Sequence, residues 1–158
     1  MFMKSPILLL LSFGFLQSCN TSSCLGRGPQ QSVLAAKAVD FDSAFFVQTQ
    51  YNANENRLTI QLRLKAGYHV YAPKERIGQP LSVTIDSQGG WQLHGHPIMP
   101  QGNQKQLGDE TSWVLSDTIA IHAILKPGQG PIRGMFNFHM CTNGACDLPR
   151  EYAFTVNP

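Results

Sequence analysis

Two cysteines, Cys141 and Cys146, sit five residues apart in the run Phe138-His139-Met140-Cys141-Thr142-Asn143-Gly144-Ala145-Cys146-Asp147-Leu148-Pro149. Paired thiols at such a spacing can close a disulfide, open it and exchange it with another. The Asn143-Gly144 dipeptide between them is a hairpin signal, because these residue types supply the two positive φ angles of a type I′ loop. With Asn143 and Gly144 as the loop, Thr142 faces Ala145 and Cys141 faces Cys146. Facing antiparallel residues have Cα atoms ~4.5–5.5 Å apart, and a disulfide accepts ~4.4–6.8 Å. A bond here closes a very short ring, for which the chain-entropy model gives only ~2 kcal/mol of stabilisation. That small structural return favours a chemical role.

The remaining cysteines, Cys19 and Cys24, belong to the start of the chain. Lys4 is followed by an apolar run from Ile7 to Leu16. It is shorter than the ~20 residues a bilayer span needs, and it matches the hydrophobic region of an export signal. The run ends in Leu16-Gln17-Ser18-Cys19, which resembles a bacterial lipobox. That resemblance implies cleavage after residue 18 and lipid attachment at Cys19, although Gln17 stands where a small residue is usual. Cys24 lacks a Leu three positions before it. Residues 1–18 are therefore expected to be a lipoprotein-type signal peptide, and residues 19–40, which are rich in small and polar residues, a flexible tether. The expected location is the periplasm, where disulfides persist.

About 140 residues remain after the leader, a one-domain length. Charged residues make up 14% of the chain and hydrophobic ones 42%, a composition that can bury a core. The formal charge of +2 falls to about +1 without Lys4. No basic cluster is present, which argues against nucleic acid as a partner.

The elements that must position the pair read as β-strands. Leu58, Ile60, Leu62 and Leu64 alternate with Thr59, Gln61 and Arg63, the period of a half-buried strand. A strand at about 44–51 precedes it across the turn 52–56. Leu81, Val83 and Ile85 alternate, as do Ile119, Ile121 and Ala123. Phe136, Phe138 and Met140 share one face, and Tyr152, Phe154 and Val156 close the chain. Short strands with Gly/Pro turns and no helical period indicate an all-β antiparallel sandwich. The hairpin register around the cysteines would pair Phe136 and Phe138 with Glu151 and Pro149, the wrong partners for an apolar face. A bulge or break between residues 146 and 149 is expected, since a one-residue slip turns every side chain over.

The chain from about residue 41 to 158 resembles the N-terminal periplasmic domain family of the thiol:disulfide interchange protein DsbD. Three segments carry the resemblance: Leu58 to Tyr71 with its Gly67-Tyr68-His69-Val70-Tyr71 ending, Gly90-Trp91 followed later by Asp117 to Ile121, and the Cys141 to Pro149 run. The resemblance implies an immunoglobulin-like antiparallel β-sandwich and a thiol-disulfide oxidoreductase that needs no cofactor. It implies that Cys141 and Cys146 relay electrons from a thioredoxin-like donor to periplasmic disulfide proteins, with Cys146 bonding partners and Cys141 resolving the mixed disulfide. It places His69 and Tyr71 beside the pair and a covering loop before Gly108. That loop offers only Leu107 as an apolar lid, where the family can present an aromatic. No polytopic membrane region or Cys-x-x-Cys domain is found in these residues, so electrons are expected from a separate membrane donor.

Other readings stay open at this level. The disulfide could be structural, within a binding or assembly module. His94, His96, Met99, His139 and the cysteines could form a copper site, as soft donors do, although His94-Gly95-His96-Pro97 also reads as a turn. His139, on the face of Cys141, could be a charge partner or a plain exposed strand residue.

Overall fold

The computed structural model describes residues 39–158. The proposed leader, Cys19 and nearly all of the tether lie outside the described residues. Among the described residues, no helix is long and apolar enough to cross a membrane.

Eleven strands alternate with tight turns: β1 (Phe45–Asn52), β2 (Arg57–Leu64), β3 (His69–Tyr71), β4 (Ser82–Ile85), β5 (Gln92–Leu93), β6 (Asn103–Leu107), β7 (Glu110–Ser116), β8 (Thr118–Lys126), β9 (Ile132–Phe138), β10 (Met140–Cys141) and β11 (Arg150–Val156). All pairings are antiparallel. One sheet has the order β1-β2-β8-β5; the others run β10-β3-β7-β6 and β11-β9-β4. Strand β9 resumes as β10 after the single residue His139, which links the last two sheets along one chain direction.

The alternation of β2 does what its period requires. Leu58, Ile60 and Leu62 lie opposite Ala123, Ile121 and Ile119 of β8, and all six are at most 2% exposed. They form one apolar cluster with Phe136 and Phe138 of β9, Phe154 of β11, Val83 of β4, Val70 of β3 and Leu115 of β7. Residues from all three sheets therefore share a single core, as two packed layers demand. The Phe138 ring stands edge-on to Phe45, with centroids 5.1 Å apart, which ties β9 to the edge strand β1.

The expected break after Cys146 is present. Cys141 bridges Cys146, and Asp147 N–H donates to Met140 C=O at 2.9 Å. From β11 onward the register has moved by one residue: Arg150 faces Phe138, Tyr152 faces Phe136 and Phe154 faces Gly134. The extra residue is absorbed between Asp147 and Pro149, where Pro149 needs no ladder donor. Arg150 holds the far side of this break. Its guanidinium bonds the Asp147 carboxylate and, at 2.8 Å, that of Asp42, and it lies 5.2 Å from the Phe45 ring centroid.

Candidate functional site

The cysteines stand on the outer face of the β10-β3-β7-β6 sheet, away from the main core. Met140 points inward and is fully buried, so the next residue, Cys141, points out. It is nevertheless only 1% exposed, because Tyr71, Val114 and Leu107 form a second, smaller apolar cluster around it. Cys141 and Cys146 are joined by a disulfide with a Cα–Cα distance of 4.0 Å. That is shorter than expected from hairpin geometry alone. The ladder bonds belong to the flanking pairs, so the cysteines face each other at a close, non-hydrogen-bonded position, and the covalent bond draws them closer still.

The loop itself corrects one expectation. Neither Asn143 nor Gly144 has positive φ, so this is not a type I′ turn. Thr142 closes the loop instead. Its N–H donates to Ala145 C=O at 2.7 Å. Its Oγ1 accepts from Ala145 N–H at 3.1 Å and Gly144 N–H at 3.3 Å. A hydroxyl that binds nearby backbone N–H groups substitutes for a backbone turn bond. The facing of Thr142 with Ala145 and Cys141 with Cys146 holds all the same.

The two cysteines differ in access: Cys141 is buried, while Cys146 is exposed. Tyr71 Oη lies 4.0 Å from Cys146 Sγ. Burial, with the negative charges of Glu75 and Glu110, pushes the Tyr71 phenol above its ordinary pKa, so it stays protonated and offers its O–H to the sulfur. The chain is threaded closely over this ring, because a Cβ on Gly78 would fall 2.2 Å from Tyr71 ring carbons. Glu75 anchors the same segment. Burial alone would raise its pKa, but bonds from the Arg76, Trp113 and Ile77 N–H groups outweigh that and hold the carboxyl below the usual range.

His69 lies directly opposite Cys141 in the β10–β3 register and opposite Ser116 of β7. It is 1% exposed, and neither ring nitrogen finds a hydrogen-bond partner. Burial, and secondarily the charge of Lys105, push its pKa down to about 4. At neutral pH it is an uncharged neighbour and not a cationic activator.

His139 occupies the one-residue gap between β9 and β10. It is half-buried, not an exposed strand residue. Its ring lies 5.3 Å from that of Tyr71 at 64°, and Nε2 is 2.8 Å from the Asp147 carbonyl oxygen. A carbonyl only accepts, so Nε2 carries the hydrogen. Nδ1 is buried without a partner. Leu107 is half-buried against the cysteine cluster. The stretch before Gly108 is not a loose loop but strand β6, hairpinned to β7 with Leu107 facing Glu110. His94 and His96 are exposed on the segment after β5. Among the described residues, the group brought within 4.8 Å is His139, Cys141 and Cys146 alone.

Beside the disulfide, a shallow groove of about 370 Å³ is lined by Tyr71, Leu107, Glu110, Ser112 and Thr142 to Cys146. A larger cleft of about 690 Å³ touches the hairpin tip, Thr142 to Gly144, but neither cysteine. The smaller groove is the one with chemistry in it. Replacing both cysteines by Ala should cost only ~2 kcal/mol and leave the sandwich folded, as chemical denaturation would show. Collapse of the fold would assign the bond a structural role.

The model of the family described as thiol:disulfide interchange protein DsbD, N-terminal, matches residues 35–158. The reduced DsbD N-terminal domain of Neisseria meningitidis is similar at TM-score 0.59 and 16% identity, covering 76% of this chain and 90% of that one. The complex of the DsbD and PilB N-terminal domains from the same organism gives 0.58 and 17%, with 77% and 88% covered. The N-terminal periplasmic domain of ScsB from Proteus mirabilis gives 0.55 and 13%; 76% of this chain matches about half, 49%, of that one. No curated protein sequence matches. The sandwich is thus immunoglobulin-like, and with the family model spanning the whole described fold and its cysteine hairpin, the chain belongs to the DsbD N-terminal domain family.

Proposed function

We propose that this protein is a periplasmic thiol-disulfide relay that works through Cys141 and Cys146. One observation carries the reading: an exposed cysteine is bonded to a buried one across only four intervening residues, beside an open groove, in a bond that holds together almost nothing. In the first half-reaction, a thiolate of a reduced thioredoxin-like donor attacks Cys146 Sγ. The intramolecular S–S bond breaks, and Cys141 leaves as the thiolate. The donor's second thiolate then attacks its own sulfur in the mixed disulfide. This releases the donor oxidised and leaves Cys141 and Cys146 as a dithiol. In the second half-reaction, the Cys146 thiolate attacks a periplasmic disulfide substrate. Cys141 then attacks Cys146 Sγ, which expels the substrate reduced and restores the starting bond. Two electrons pass, and no cofactor takes part.

Complex formation between the Neisseria DsbD and PilB N-terminal domains supports a protein partner here. The donor is re-reduced by a separate membrane protein, and a lipid on Cys19 keeps the relay beside it. Mass spectrometry of the mature protein should find a lipid-modified N-terminal Cys19; an unmodified start elsewhere removes the anchor and leaves the relay intact.

The test of the relay is the midpoint potential of the Cys141–Cys146 couple, together with its reaction with a reduced thioredoxin-like protein. Structural disulfides lie below about −300 mV, and exchange-active ones above. A value above that line with rapid reduction is expected. A value well below it, with no reaction, returns the bond to a structural role in a binding module.

A further inference from the structure

The buried, unpartnered Nδ1 of His139 has no part in the exchange steps. It nevertheless belongs to a ring one of whose nitrogens lies within 4.8 Å of both the Cys141 and Cys146 sulfurs, and with Nε2 engaged by Asp147 it is the nitrogen that has a lone pair to give. The ring is already in the form a metal ligand takes. Nε2 gives its hydrogen to the Asp147 carbonyl at 2.8 Å, which leaves the Nδ1 lone pair free. A backbone carbonyl on the far nitrogen is the usual outer-sphere partner of a metal-bound imidazole, and it fixes tautomer and ring orientation. Asp147 is fixed in turn, through its N–H to Met140 and its carboxylate to Arg150. The imidazole therefore needs no rearrangement to present a donor.

We infer that the reduced protein holds one copper(I) ion between the Cys141 and Cys146 thiolates and His139 Nδ1, and that the disulfide excludes it. Two thiolates and one imidazole form a soft donor set of the kind that selects copper(I). Zinc accepts the same two thiolates and imidazole but completes a tetrahedron with a fourth ligand such as water. The three donors here stand without a fourth protein ligand among the described residues, so zinc is the competitor to titrate beside copper(I). Binding changes no oxidation state: the two thiols lose their protons to solvent, and two Cu–S bonds and one Cu–N bond form. The dithiol must first be made by a thiol or phosphine reductant, and the same sulfurs cannot hold the ion and each other. Cys146 is the entry point, since Cys141 lies behind Tyr71, Val114 and Leu107. The site would thus link copper occupancy to redox state. It rests on the relay reading only for its physiological reductant, and a phosphine supplies that step in the test.

The experiment is an anaerobic competition of the full chain against the coloured bathocuproine complex of copper(I). It compares phosphine-reduced protein, the disulfide form, the Cys141→Ser/Cys146→Ser double variant and His139→Gln. The double variant retains Cys19 and Cys24 and so sets their background. Reduced protein should take up one equivalent beyond that background, and the disulfide form none. Loss of an outer-sphere partner alone weakens metal sites ~10–100-fold, so loss of the His139 ligand should weaken binding at least about tenfold. Copper K-edge absorption of the reduced complex should show two sulfur neighbours and one nitrogen, a measurement that does not depend on how well any variant folds. No uptake above the double variant, equal affinity in His139→Gln, or a sulfur-only copper shell overturns the proposal. None of those results bears on the midpoint potential, so the relay stands or falls separately.

Discussion

A Cys141→Ser variant is expected to accumulate a mixed disulfide with a thioredoxin-like partner, and a Cys146→Ser variant to accumulate almost none. The asymmetry follows from burial. Thiol-disulfide exchange needs the attacking thiolate in line with an accessible sulfur. Cys146 is exposed at the groove, within 4.0 Å of the Tyr71 hydroxyl. Cys141 is 1% exposed beneath Tyr71, Val114 and Leu107. With Cys141 replaced, Cys146 still meets a partner, and this chain keeps no second thiol to release it; a partner whose own second cysteine is replaced by Ser closes the remaining route. With Cys146 replaced, the remaining sulfur is walled in, and an incoming protein disulfide would have to displace the Leu107 side of the cluster. Non-reducing electrophoresis after mixing each variant with a thioredoxin-like protein that keeps only its attacking cysteine, activated as a thionitrobenzoate mixed disulfide, reads the outcome directly, because the departing thionitrobenzoate leaves no thiol on the partner to reverse the step. A yield at least tenfold higher for Cys141→Ser is expected. Equal yields would break the division of roles, and no trapping by either would favour a binding module with a structural bond.

What was legible beforehand follows from which strands have one wet face. Strand β2 alternates because its outer residues meet solvent, so its period shows in the letters. Strand β8 does the same through Ile119, Ile121 and Ala123. Strands β3 and β7 do not. His69, Val70 and Tyr71 are all buried, as are Val114 and Leu115 in succession, because one side faces the main core and the other the cysteine cluster. Two-sided burial erases the period. Strand β6, Asn-Gln-Lys-Gln-Leu, carries almost no apolar residue and is held as a strand by its pairing to β7. It reads as a loop until its partner is known.

The site divides along the same line. The facing of the cysteines and the register break beyond them were legible, since both follow from counting residues against a fixed period of two. The turn type was not. Asn-Gly favours positive φ only where nothing else closes the loop, and here the Thr142 hydroxyl captures the Gly144 and Ala145 amides. Glu75, Gly78 and Arg150 gave no signal, because a lone carboxylate, glycine or guanidinium acquires its role only from what the fold brings to it. His139 was visible as a neighbour of Cys141, but its tautomer depends on the Asp147 carbonyl, which only the break places beside it.

Acid should destabilise the fold in a window that one residue accounts for. His69 titrates near 6.5 in an unfolded chain and at about 4 in the folded one. Its folded pKa is depressed, so between those values the unfolded state binds the extra proton. The stability it permits is fully present above pH 6.5 and is lost as pH falls toward 4. At about 1.4 kcal/mol per pH unit, the loss reaches about 2 kcal/mol by pH 5 and about 3 kcal/mol by pH 4. For a domain of this size, the loss by pH 5 corresponds to a fall in Tm of roughly 6–10 °C. The carboxylates held below their ordinary range, Asp40 and Glu75, are depressed by hydrogen bonds and not by burial, and their linkage has the same sign as that of His69 but lies at lower pH. Their contribution fades only as pH drops below about 4.5, so pH 7.5 to 5 isolates the histidine. A His69→Phe variant keeps the ring and removes the proton. Because neither His69 nitrogen has a partner to lose, that variant should be no less stable at pH 7.5 and should show a nearly flat Tm down to pH 5. Parallel slopes in the two proteins would mean that His69 is reached by water or by a hydrogen-bond partner in solution. The dry, uncharged wall it forms against Cys141 would then have to be abandoned, together with the argument that exposure, and not a neighbouring cation, makes Cys146 the reactive sulfur.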